Sequence, residues 1–225
     1  YTRNRAIDAA RVDNFVIDGC TVAHTSYNAI TITGTNCVIK NSHIYDTAKG
    51  GITISGGDRA NLISANNVIE NNRIHDNTRI FKTYQPAIGA YSVGLIIRNN
   101  ELYNNPHELI AIGSNDIIIE YNEIYNGVLE SADMGAIYLG RDPSILGIEI
   151  RYNYFHDIGN TYGGIGQQSI FSDDGNVVPY IHSNIFYRGS TTTEMSGLPS
   201  NSFPIKAHGS QFGLIENNII IDSPA

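Results

Sequence analysis

Residues 68–74 read Val-Ile-Glu-Asn-Asn-Arg-Ile, and the pattern returns as Ile-Ile-Arg-Asn-Asn-Glu-Leu at 96–102 and Ile-Ile-Glu-Tyr-Asn-Glu-Ile at 118–124. Aliphatic residues alternate with polar ones on both sides of a polar pair, the period expected of strands with one buried face. Outward from this centre the motif is VIKNSHI at 38–44, EIRYNYF at 149–155, YIHSNIF at 180–186 and LIENNII at 214–220, with a worn copy, VIDGCTV, at 16–22. Anchored on Cys20, Ser42, Asn72, Asn100, Asn122, Asn153, Asn184 and Asn218, the copies are 22, 30, 28, 22, 31, 31 and 34 residues apart. A minimum unit of 22 residues with loops of varied length inserted is the signature of a solenoid, in which each unit buries its apolar face against its neighbours.

Two places after each anchor stands Val22, Ile44, Ile74, Leu102, Ile124, Phe155, Phe186 or Ile220, a row that should stack inside. Asn at the anchor tolerates a left-handed backbone and can hydrogen-bond to the amides above and below it. A further strand precedes each anchor, beginning at Ala29, Gly51, Ala87, Leu109, Ala136, Ser169 and Pro204, with Thr31, Thr53, Gly89, Ala111, Tyr138, Phe171 and Lys206 directed outward. The expected fold is therefore all-β, a right-handed parallel β-helix of about eight rungs, with residues 1–225 forming one domain.

Composition agrees: 22 Gly, 14 Tyr and no Trp suit short strands joined by tight turns. A net charge of -8, with only 14 scattered Lys and Arg, argues against a nucleic-acid partner and against a strongly anionic polymer. A neutral or weakly charged ligand meets less repulsion. Cys20 and Cys37 do not make a disulfide framework. There is no apolar run of the roughly 18 residues that a membrane span requires. The chain opens in mid-solenoid with Tyr-Thr-Arg-Asn and no polar cap, so it is expected to be a fragment or core of a longer protein.

The outward row changes character at Tyr138. The segment ESADMGAIYLGRD, residues 130–142, brings Glu130, Asp133, Tyr138, Arg141 and Asp142 to one rung edge. The next rung supplies Asp173 and Asp174, and the one after it Lys206 and His208. With Ile137 and Ile170 in register, Asp173 and Asp174 neighbour Gly140 and Arg141, one rung of ~4.8 Å away. Paired carboxylates are what glycosidic cleavage needs, one to protonate the leaving oxygen and one as nucleophile or base. The same acids, Glu130, Asp133, Asp142, Asp173 and Asp174, also form a candidate structural Ca²⁺ set, although no Ca-loop spacing is present and no cofactor is required. His75 and His156 share a repeat position with Tyr45, Tyr103, Tyr125 and Tyr187 and read as ladder residues; His208, on the site strand, is the better functional candidate.

The strings IIEYNEIYNGVLESADMGAIYLGRDPS, IRYNYFHDIG, SIFSDDG, SNIFYRG and IENNIIID resemble right-handed β-helix carbohydrate-active enzymes, particularly the glycoside hydrolase group with α-L-fucosidase and xylanase activities. The likeness runs from about Asn115 to the C-terminus and is carried by DMGAIY-x-GRD and DDG. It implies Asp133 and Asp174 as the catalytic pair, Asp173, Arg141 and Tyr138 around them, a polysaccharide or oligosaccharide as partner, and a secreted or cell-surface location. Lys206 and His208 join the substrate-binding set. Two alternatives stay open. One is a polysaccharide lyase with Lys206 or His208 as base and Arg141 or Ca²⁺ neutralising a uronate; the other is a non-catalytic structural or carbohydrate-binding β-helix.

Overall fold

The structure, a computed structural model, describes residues 4–159, 166–190 and 202–223. Each of eight rungs gives one strand to each of three parallel eight-stranded sheets. The first sheet comprises Ile7–Asp13, Ile30–Thr35, Ile52–Gly56, Ile88–Ser92, Ile110–Ile112, Met134–Gly140, Gln167–Asp173 and Ile205–Ala207. The second runs from Val16–Asp18 to Leu214–Glu216, the third from Thr21–Ala23 to Ile219–Ile221. Within a sheet, neighbours come from successive rungs, so the architecture is the right-handed β-helix expected from the repeat.

The interior is filled by registered aliphatic rows. Ile39, Ile69, Ile97, Ile119, Ile150 and Ile181 stack along the second sheet. Along the third sheet the row from Val22 to Ile220 stacks as read from the sequence, with the Phe155 and Phe186 rings parallel at 4.8 Å. Most of these side chains are wholly buried, so each rung is held by apolar area shared with its neighbours.

At the bend between the second and third sheets, two adjacent residues divide the work that the sequence reading assigned to one. The left-handed position precedes the anchor: Gly19, Asn41, Asn71, Asn99, Tyr121, Tyr152, Ser183 and Asn217 all have φ between 52° and 63°. The anchors themselves form a buried amide ladder. Oδ1 of Asn100, Asn122, Asn153, Asn184 and Asn218 accepts from both the main-chain N–H and the side-chain amide of the preceding anchor at 2.9–3.0 Å. Each amide also donates to a main-chain carbonyl of the rung before it, as Asn122 does to Ile97 at 3.0 Å.

Two further ladders run on the outside. Tyr45, His75, Tyr103, Tyr125 and His156 stack ring on ring at 4.5–5.3 Å, the place the repeat gave to His75 and His156. On the second sheet, Asp18, Lys40, Glu70, Arg98, Glu120, Arg151, His182 and Glu216 share one outward row whose charges alternate in sign up to His182. Within it Arg98 meets Glu70 at 2.7 Å and Arg151 meets Glu120 at 2.8 Å. Both cysteines are free, Cys20 exposed and Cys37 buried. Among the described residues no helix is long and apolar enough to cross a membrane.

Candidate active site

The first sheet carries the candidate site. Its outward row joins Thr31, Thr53, Gly89, Ala111, Tyr138, Phe171 and Lys206 in register, as the sequence led us to expect. Phe171 departs from expectation in being fully buried. The Tyr138 ring meets it edge-on at 5.8 Å and the Lys206 ammonium lies 4.6 Å from its ring centre, so it is a support for its neighbours and not an open platform.

Gly140 pairs with Asp173, and the Arg141 amide donates to the Asp173 carbonyl at 3.2 Å. This pairing brings five side chains together. The Asp173 carboxylate, 6% exposed, accepts from the Tyr138 hydroxyl at 3.0 Å on one oxygen and lies 3.0 Å from His208 Nδ1 on the other. Asp174, half exposed, is held by Arg141 Nε at 2.9 Å and stands 3.5 Å from the same His208 nitrogen. Arg141 and Asp174 both take left-handed backbone, φ 65° and 48°. Burial, reinforced by the Asp173 charge, pushes the Tyr138 phenol above its usual range, so it remains a hydrogen-bond donor. The hydrogen bond to Asp174 raises Arg141 further, keeping it cationic.

The other sequence candidates have partners of their own. Asp133 precedes the strand Met134–Gly140 and is 75% exposed, its carboxylate 3.6 Å from Lys206 Nζ. The structure thus brings Asp174 together with Asp173, and Asp133 together with Lys206. Glu130 is bound by Lys82 at 2.8 Å, and Asp142 by Arg59 at 2.8 Å and by Ser144. The five acids considered for Ca²⁺ therefore do not converge. Among the described residues, the group whose potential ligand atoms fall within 4.8 Å of one another is Asp173, Asp174 and His208, two oxygens and a nitrogen, set against the six to eight oxygens Ca²⁺ takes.

Asp173 as the near partner of Asp174 was present in the sequence as the adjacent acid of DDG. Its weight emerges only with the burial and the Tyr138 contact.

The family model described as "Right handed beta helix region" matches residues 5–219. No curated protein and no solved structure matches the chain.

Proposed function

We propose, starting from the fact that this chain belongs to the right-handed β-helix family, that it is an extracellular glycoside hydrolase whose catalytic pair is Asp173 and Asp174. One observation carries the reading: two carboxylates with oxygens within 4.8 Å of each other and of His208 Nδ1, one buried and one open to solvent. Glycosidic cleavage uses such a pair, one group protonating the leaving oxygen and the other attacking the anomeric carbon or activating water. Tyr138 and His208 fix Asp173 in place, and Arg141 orients Asp174. Lys206 and Asp133, 3.6 Å apart, offer a donor and an acceptor for sugar hydroxyls at the rim.

A lyase needs a base beside the sugar and a cation free to neutralise its carboxylate. Here Arg141 is already paired with Asp174 and Lys206 with Asp133, while His208 lies against both carboxylates of the cluster, which favours hydrolysis. The test is a reducing-end assay against neutral and uronic polysaccharides, with absorbance of unsaturated products followed in parallel. Hydrolysis without unsaturated product, abolished in Asp173→Asn and in Asp174→Asn, is the expected result. Turnover that survives both changes overturns the assignment, and loss of turnover in Asp133→Asn alone would transfer the second carboxylate role to Asp133.

A further inference from the structure

Asp173 belongs to a second outward row of the first sheet, one step along the strands from the row containing Tyr138. Going back down the solenoid, that row passes through Gly140 and Gly113 to Tyr91, then to Ser55 and Thr33. Beside it run Tyr138, Ala111, Gly89, Thr53 and Thr31. Neither row carries a charged side chain between Thr31 and Gly140, in contrast to the alternating charges of the second sheet.

Tyr91 and Tyr138 are the large side chains of this strip, and Tyr91 is 44% exposed. Its ring lies across two glycines. A Cβ on Gly113 would stand 2.6 Å from the ring and one on Gly89 2.7 Å, so any larger residue at either position would lift the ring off the sheet. Gly140 plays the same part for Tyr138, whose hydroxyl oxygen would lie 2.8 Å from a Cβ there. The result is an uncharged floor with an aromatic ring at one end and the carboxylate pair at the other. Three rung steps separate Tyr91 from Asp173, about 14 Å at the usual strand spacing. That is the span of a short oligosaccharide and exceeds that of a single sugar.

We propose that this strip binds a neutral oligosaccharide laid along the solenoid axis, with Tyr91 as the platform on which one sugar ring stacks several units from the bond that is cut. The C–H face of a pyranose is apolar and matches the face of a phenol ring, whereas its hydroxyls point sideways to polar neighbours. Neither row of the strip supplies a cation for a uronate chain: Arg141 and Lys206, at its far end, and Arg59, beside Asn115, are already ion-paired. The ligand class rests on the glycoside hydrolase reading; the position of the platform rests on Tyr91 and its glycines.

Binding of neutral oligosaccharides of increasing length, and of uronic ones of the same lengths, should be measured by calorimetry for the wild type, Tyr91→Phe and Tyr91→Ala, with hydrolysis of a short aryl glycoside followed in parallel. Tyr91→Ala is expected to weaken the longer neutral ligands at least about fivefold, as loss of an aromatic contact does, and to leave the aryl glycoside unaffected. Tyr91→Phe should bind as the wild type does, and circular dichroism melting should show all three proteins folded. Equal affinity of wild type and Tyr91→Ala at every length overturns the platform while leaving hydrolysis standing. Tyr91-dependent binding without turnover supports the platform and removes the hydrolase reading. Tighter binding of the uronic series overturns the neutral class, and absence of binding by any oligosaccharide overturns the strip as a glycan surface.

Discussion

Replacing Asn122 by Ala removes one step of the buried amide ladder at the middle of the solenoid. Asn122 is 2% exposed. Its Oδ1 accepts from the Asn100 main-chain N–H at 2.9 Å, and its Nδ2 donates to the Ile97 carbonyl at 3.0 Å. Truncation leaves both main-chain groups buried without these partners, while the Asn122 main-chain N–H keeps its bond to Asn153. Stranding a buried polar group costs about 1–3 kcal/mol, so the two together cost about 2–6 kcal/mol. Asn218→Ala makes the same chemical change on the last rung. There the side chain is only partly buried and water can replace it, so the loss should stay below about 1 kcal/mol. Urea unfolding followed by circular dichroism reads the difference directly, provided that the slope is the same in both variants. Equal losses in the two variants, or a loss below about 1 kcal/mol for Asn122→Ala, would refute the claim that the ladder stabilises the rungs through satisfied main-chain groups.

Three other outcomes follow from the site and from one buried group. Tyr138→Phe deletes the donor to Asp173 and should lower kcat about ten- to a hundredfold with KM little changed, checked by steady-state kinetics on whichever glycan is turned over. Because the Asp173 and Asp174 oxygens lie within 4.8 Å, nearer the short separation of nucleophilic pairs than the longer one that admits a water, the first-formed product should retain its anomeric configuration; proton NMR during early turnover would show inversion if the spacing argument is wrong. His107, buried against Glu108, is pushed down to about 4 by burial. The unfolded chain therefore binds a proton that the folded one excludes between about pH 6.5 and 4, and stability should fall as pH drops through that window. Urea midpoints across the range should drop less in His107→Gln, and parallel curves for the two proteins would count against this group.

The rungs were legible because a solenoid writes its tertiary contacts as a sequence period: Ile69 meets Ile97 and Ile97 meets Ile119, the residues the motif aligns. The pairing of Gly140 with Asp173 followed from the same period. What the repeat does not cover was harder to read. Asp133 lies in the insertion after Asn126, where the chain path owes nothing to rung register, and its carboxylate stands 3.6 Å from Lys206. Glu130 and Asp142 were captured by Lys82 and Arg59, cations from loops far away in sequence. The left-handed residue was misplaced by one because Asn occupies both positions at 71/72, 99/100 and 217/218, and it is Tyr121, Tyr152 and Ser183 that separate the bend from the Asn ladder. Tyr91 carried no signal of its own; its importance comes from glycines at 89 and 113, which belong to two different rungs.

The alternating charges along the second sheet also constrain how such a protein can change length. Excising the rung that holds Arg98 would bring Glu70 against Glu120, and excising the one that holds Glu70 would bring Lys40 against Arg98. Like charges facing each other across neighbouring strands are destabilising. Removing two adjacent rungs, by contrast, restores opposite signs at the junction. Lineages that shorten or extend this stretch by duplication and deletion should therefore do so in pairs of rungs, leaving an even-numbered trace in the coding sequence.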